Sequence, residues 1–221
     1  MPMPRPYWLP VAIFLALAGC KDATAPLDQL FALAEVADSL AEGADSLALS
    51  DGLHILQQAA TAPALETYEV SFWARRGEAS TVSVNYQPVD GDSVSLPFLR
   101  FDIPRGGLRS VPGVAHLGMG DSVLITLTID PASFAVEFAP SGVAFSRRHP
   151  AALAIWYGNA NPDLNGDGIV DAVDETLAAQ LAIWGRQARP APWLRTASQT
   201  EAGQQWVWTA LYHFSEYAVS W

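Results

Sequence analysis

From residue 66 onward, apolar and polar positions alternate almost one for one. Tyr68, Val70 and Phe72 alternate with polar residues, Arg75-Arg76-Gly77-Glu78 supplies a turn, and Val82, Val84 and Tyr86 resume the pattern. A period of two on both sides of a turn predicts a β-hairpin. Asp90-Gly91-Asp92 marks the next turn, and 98–103 predicts a short strand that ends at 104–107. The clearest strand follows residues 118–122: Val123, Ile125, Leu127 and Ile129 fall on one face, Thr126 and Thr128 on the other. Strands recurring about every 8 to 12 residues predict an antiparallel β-sandwich.

A second set of strands begins after Ile129-Asp130-Pro131. Phe134, Val136 and Phe138 alternate, Ala139-Pro140-Ser141-Gly142 turns, Val143-Ala144-Phe145 follows, and 152–157 predicts a strand. Residues 172–180 have helical composition; 181–184 fit either an extension of that helix or a new strand. Pro190, Pro192 and Gly203 bound a connection before terminal strands over 205–213 and 217–221. Ahead of all this, Leu27, Leu30, Phe31, Ala34 and Ala37 recur at helical spacing. They predict one or two amphipathic helices over 27–60, broken near Gly43 or Ser50-Asp51-Gly52. The expected fold is mainly β: one or two antiparallel β-sandwiches with an N-terminal helical segment. The β regions run over 65–130 and 131–221, and periodicity leaves open whether they share sheets.

One stretch prescribes a chemistry as well as a shape. In Asp163-Leu164-Asn165-Gly166-Asp167-Gly168-Ile169-Val170-Asp171-Ala172-Val173-Asp174, oxygen side chains fall at loop positions 1, 3, 5, 9 and 12, with glycine at position 6. That is the spacing of an EF-hand calcium loop, in which a chain curling around one hard cation alternates ligands with residues that point away. Asp163, Asn165 and Asp167 would offer side-chain oxygens, Ile169 its carbonyl, Asp171 a direct or water-mediated contact and Asp174 the closing carboxylate. Gly168 makes the turn, and Val170 is expected to point inward and tie the loop to a core. The loop, an insertion over 163–180, resembles the calcium loop of dockerin modules, which also ends in Asp; here it is single. Calcium is the expected cofactor.

The first 19 residues read as a signal peptide. Arg5 precedes the apolar run 7–17, and Leu17-Ala18-Gly19-Cys20 follows at once. The run is short for a bilayer core of about 30 Å. The pattern resembles a bacterial lipoprotein precursor cleaved before Cys20, which implies an exported chain held in the cell envelope by lipid on Cys20. Residues 20–64 then form the lipidated tether and helical segment. Cys20 is the only cysteine, so no disulfide and no thiol chemistry is expected. Charge narrows the partners further: 12 Lys plus Arg against 23 Asp plus Glu gives −11, which repels phosphate backbones and argues against nucleic acid. A protein or glycan partner remains, its identity unspecified.

The second half also resembles the β-sandwich domain shared by ankyrins, zona-occludens scaffolds and netrin receptors. The carriers are the strand 123–129, the element Phe138-Ala139-Pro140-Ser141-Gly142-Val143-Ala144-Phe145, the strand Pro150-Ala151-Ala152-Leu153-Ala154-Ile155 and the ending His213-Phe214-Ser215-Glu216-Tyr217-Ala218-Val219. The resemblance covers about 122–221 and implies a sandwich used for protein contacts rather than turnover. Some relatives of that domain, and the self-cleaving domain of adhesion receptors, break their own chain at a His-Leu/Phe-Ser/Thr tripeptide. By that resemblance Ser215 would attack the carbonyl of Phe214 with His213 as general base. The alternative is a hydrogen bond between His213 and Ser215 across a turn.

Other chemistry is thin. His54, His116 and His149 are scattered and do not form a zinc pair. Asp90, Asp92, Asp102 and Asp121 would need to meet in space for glycoside cleavage. Trp156, Trp184, Trp193, Trp206 and Trp208 could floor a glycan groove or serve as sheet core and cross-strand pairs. The chain is therefore read as a non-catalytic calcium-binding envelope lipoprotein, with self-cleavage between Phe214 and Ser215 or carbohydrate binding as alternatives.

Overall fold

The computed structural model describes residues 53–89, 95–187 and 190–221, together with the backbone of 48–49. The signal peptide, Cys20, Asp90 and Asp92 lie outside the described residues. Of the helical reading over 27–60, the part up to residue 47 lies outside them too. Beyond it, strand β1 (Ala48–Leu49) is extended, and the following segment makes bridges at Ile55, Gln57 and Gln58 in place of helical turns. Its backbone groups are taken by neighbours: Leu56 N–H donates to Val219 at 2.9 Å, and Phe134 N–H donates to Leu56 at 2.9 Å.

Among the described residues the fold is mainly β, with 46% strand, one short helix and antiparallel sheets. The strands are β2 (Glu69–Arg75), β3 (Ser80–Asn85), β4 (Pro97–Ile103), β5 (Leu108–Ser110), β6 (Ser122–Ile129), β7 (Ala135–Ala139) and β8 (Ala144–Phe145). They continue with β9 (Ala151–Trp156), helix α1 (Ala172–Ala178), β10 (Ala182–Arg186), β11 (Trp193–Arg195), β12 (Ser198–Glu201), β13 (Trp206–Leu211) and β14 (Glu216–Ser220). One sheet runs β1-β11-β10-β14-β7-β6-β2 and the other β12-β13-β9-β4-β3, with β5-β8 as a separate ribbon. Both sheets draw strands from either side of residue 130, so the two β regions share them. The main apolar cluster draws on both sheets: Leu99, Phe101 and Ile103 from β4 join Ile125 and Leu127 from β6 and Phe138 from β7.

The expected hairpin over 68–86 is not formed. β2 pairs with β6 along its whole length, from Glu69↔Thr128 to Arg75↔Ser122, while β3 pairs with β4 in the other sheet. Residues 76–79 therefore carry the chain across the core and not back along a ladder. The apolar positions of the two strands satisfy one core from opposite sides. Val70, Phe72 and Ala74 face it from one sheet and Val84 from the other, and Phe72 reaches Phe101 at 6.4 Å between centroids. Period two fixes which face is buried; it does not say which strand supplies the hydrogen bonds. Residues 182–184, open from sequence, are strand, pairing with β14 from Ala182↔Ser220 to Arg186↔Glu216.

Candidate functional site

The loop over 163–174 joins β9 to α1 and hydrogen-bonds chiefly to itself. The Asp163 carboxylate accepts from the N–H of Gly166 at 2.8 Å and of Gly168 at 2.9 Å. Asn165 Oδ1 accepts from Asp167 N–H at 2.9 Å, Asp167 from Ile169 N–H at 2.8 Å, and Asp171 from Val173 N–H at 2.8 Å. Each of these side chains thus takes a backbone donor a few residues ahead, the turn chemistry of Asx residues. Gly168 has φ +83°, a left-handed turn that a side chain would strain.

Asp174 closes the ring. Its Oδ1 accepts from the N–H of Leu164 at 2.7 Å and Asn165 at 3.2 Å, and its Oδ2 from Asp171 N–H at 2.9 Å, so the last loop position is bound to the second, third and ninth. With Asp171 it also forms a capping box on α1. Asp174 is only 3% exposed. Backbone amides, that of Asp171 foremost, hold its carboxyl below the usual carboxylate range, against the opposing effect of burial.

Val170 does not tie the loop down: it is 62% exposed. Leu164, at position 2, packs against the core with Ala178 of α1. The base of the loop is laced to the segment before β2, with Asn161 N–H on the Gln57 carbonyl at 2.8 Å and Ala59 N–H on Asn159 at 2.9 Å. Among the described residues, no three His, Cys, Asp or Glu side chains stand together as a ready metal cluster. The side chains at loop positions 1, 3, 5, 9 and 12 present oxygen atoms, the donor type that hard cations take.

The His213–Ser215 segment sits between β13 and β14 under contacts from a distant turn. Ser215 Oγ lies 2.9 Å from His213 Nδ1. Phe214 N–H donates to Val143 at 2.8 Å, and the Phe214 carbonyl accepts from Gly142 N–H at 3.2 Å. Gly142 has φ +78°. Phe214 is buried among Phe101, Phe138 and Phe145, stacked on Phe138 at 4.8 Å and 15°. The Ser215 side chain is 2% exposed, whereas His213 is exposed. Tyr217 Oη donates to the His213 carbonyl at 2.6 Å. A cavity of about 520 Å³ opens beside this segment, lined by Arg195, Leu211, Tyr212, His213 and Tyr217.

The resemblance to self-cleaving domains points to His213 and Ser215; it does not point to Gly142 or Tyr217 as their partners. Gly142 was visible only as a turn former, and Tyr217 only as a strand residue. Other candidates separate. Asp102 is held by Arg100 at 3.0 Å and Thr81 at 2.6 Å, and Asp121 accepts from Gly118 N–H at 2.6 Å, so each is committed locally. Trp184 and Trp193 are buried together, whereas Trp156 stacks on Trp206 across β9 and β13 at 5.4 Å with Trp208 in the same cluster. The five tryptophans therefore do not form one floor. His54 stacks on Trp221.

No family model, no curated protein and no solved structure matches the chain. Among the described residues no helix is long and apolar enough to cross a membrane.

Proposed function

We propose that this chain is a calcium-binding lipoprotein of the cell envelope, anchored through Cys20, whose β body serves as an interaction module stapled by one ion. The observation that carries the reading is the closure of the loop by Asp174, whose carboxylate stays ionised and bound to Leu164, Asn165 and Asp171. Asp163, Asn165, Asp167, Ile169, Asp171 and Asp174 would hold the ion. When bound it would offset two of the four negative charges that Asp163, Asp167, Asp171 and Asp174 confine to one loop. A ligand held only by the native state stabilises it by mass action, by about 2.7 kcal/mol at a hundredfold excess over Kd. The test is a thermal melt of the full chain with calcium and with chelator. A rise with calcium that disappears in Asp163→Ala/Asp167→Ala supports the reading; identical wild-type melts remove it.

The contact between Ser215 and His213, with Gly142 N–H on the Phe214 carbonyl, favours a second reading: self-cleavage between Phe214 and Ser215. Ser215 Oγ would attack the Phe214 carbonyl carbon as its proton passes to His213 Nδ1. Negative charge would develop on the oxygen that Gly142 N–H already faces. The proton would then pass to the Ser215 nitrogen as the C–N bond breaks, leaving an ester that water opens to a Phe214 carboxylate and a free Ser215 hydroxyl. Intact mass tests it: a fragment beginning at Ser215, lost in Ser215→Ala.

A further inference from the structure

We propose that Tyr217 is the positioning residue that holds His213 in register to take the Ser215 proton, an inference that rests on the cleavage reading above. His213 is exposed, so side-chain packing does not fix its imidazole. What fixes the residue is its backbone: Ala144 bridges to it, and Tyr217 Oη donates to its carbonyl at 2.6 Å. With the carbonyl held, the residue is set with Nδ1 2.9 Å from Ser215 Oγ.

The tyrosine is itself held on two sides. Its ring packs edge-on to Phe138 at 6.0 Å. On the other side lies Gly185 of β10, its direct partner in the ladder. A Cβ on Gly185 would come within 2.8 Å of Tyr217 Cε1. A glycine in the middle of a strand weakens it, and its use here matches the close approach of the ring. Burial pushes the Tyr217 hydroxyl up to about 12, with the neighbouring Ser215 hydroxyl acting in the opposite direction. At neutral pH the phenol therefore keeps the proton it donates.

The experiment follows release of the fragment beginning at Ser215 from the full-length chain in detergent at neutral pH. Four chains are compared: wild type, Ser215→Ala, Tyr217→Phe and Ile125→Val. Ile125→Val thins the same core from β6, away from the rings that touch Tyr217 and Phe214. Wild type should cleave and Ser215→Ala should not. Tyr217→Phe should be slowed at least tenfold, short of the full factor of about 10² to 10⁴ that the acid–base group itself contributes. Ile125→Val should stay within about twofold of wild type while melting lower, as expected where core packing but no contact of the cleavage segment is lost. Imidazole ¹⁵N shifts, recorded on intact chain at low temperature, should show Nδ1 as a proton acceptor in wild type and a mixture of tautomers in Tyr217→Phe. Equal rates for Tyr217→Phe and wild type, equal slowing by Ile125→Val, or unchanged ¹⁵N shifts overturn the proposal for Tyr217 alone. A wild-type chain as intact as Ser215→Ala overturns the cleavage reading and this inference with it.

Discussion

The acidic loop and the His213–Ser215 segment are both short, polar and set between regular elements, yet they are built in opposite ways. In the loop, Asp163, Asn165, Asp167 and Asp171 find their backbone donors within five residues, and the longest reach is from Asp174 back to Leu164. At the other site the decisive partners come from far away in sequence: Gly142 and Val143 hold Phe214 from a turn about seventy residues earlier. A site whose contacts are local can be read from spacing. A site whose contacts are tertiary shows its reactive atoms and hides what aims them.

That difference makes a graded set of expectations. The largest effect should come from Phe214→Ala, which removes a ring 1% exposed and stacked on Phe138. Loss of about 3 to 5 kcal/mol in a urea titration is expected, and a loss below 1 kcal/mol would mean that the segment is not embedded as described. Leu164→Ala comes next, at about 1 to 2 kcal/mol for a partly buried leucine. It should also weaken any calcium-dependent rise in the melt, because it frees the loop from the core.

Acid titration addresses Asp174. A carboxyl lowered in the folded state adds stability that is complete above its unfolded value near 3.8 and fades as pH falls through the lowered folded value. In chelator, the wild type should lose this increment in acid, and Asp174→Asn should lack that part of the pH dependence. Superimposable stability profiles would remove the carboxylate as the loop's closing element. The smallest effect belongs to Val170→Ala, expected within about 0.5 kcal/mol for an exposed side chain. A drop as large as that for Leu164→Ala would restore Val170 as the anchor.

Much of the sheet was legible. β6 alternates without interruption from Val123 to Ile129, with all four inward residues buried, and β7 and β9 lie where their apolar runs fall. What escaped was pairing. β2 and β3 look like a hairpin because each alternates and a Gly-containing turn joins them, but the core between the sheets accepts both faces equally well. β11 and β12 escaped for another reason: Trp-Leu-Arg and Ser-Gln-Thr-Glu are too short and too polar to carry a period. In the loop, ligand-type residues were legible and the anchor was not. EF-hand spacing directs attention to Val170, whereas the body of this protein meets the loop at Leu164.

The order of strands in the larger sheet also bears on how the molecule assembles. β14 stands between β10 and β7, so the group β7-β6-β2 and the group β1-β11-β10 have no direct ladder to each other. β7 pairs with β6 on one side, and the strand on its other side does not begin until Glu216, well after β7 ends at Ala139. Until that segment is in place, each half presents an open edge able to pair with the wrong strand. Closure over so long a separation is slow, since loop entropy is lost before the contacts are made. β14 therefore ties the two strand groups of the larger sheet together, and a chain lacking it would leave β7 and β10 with unpaired edges.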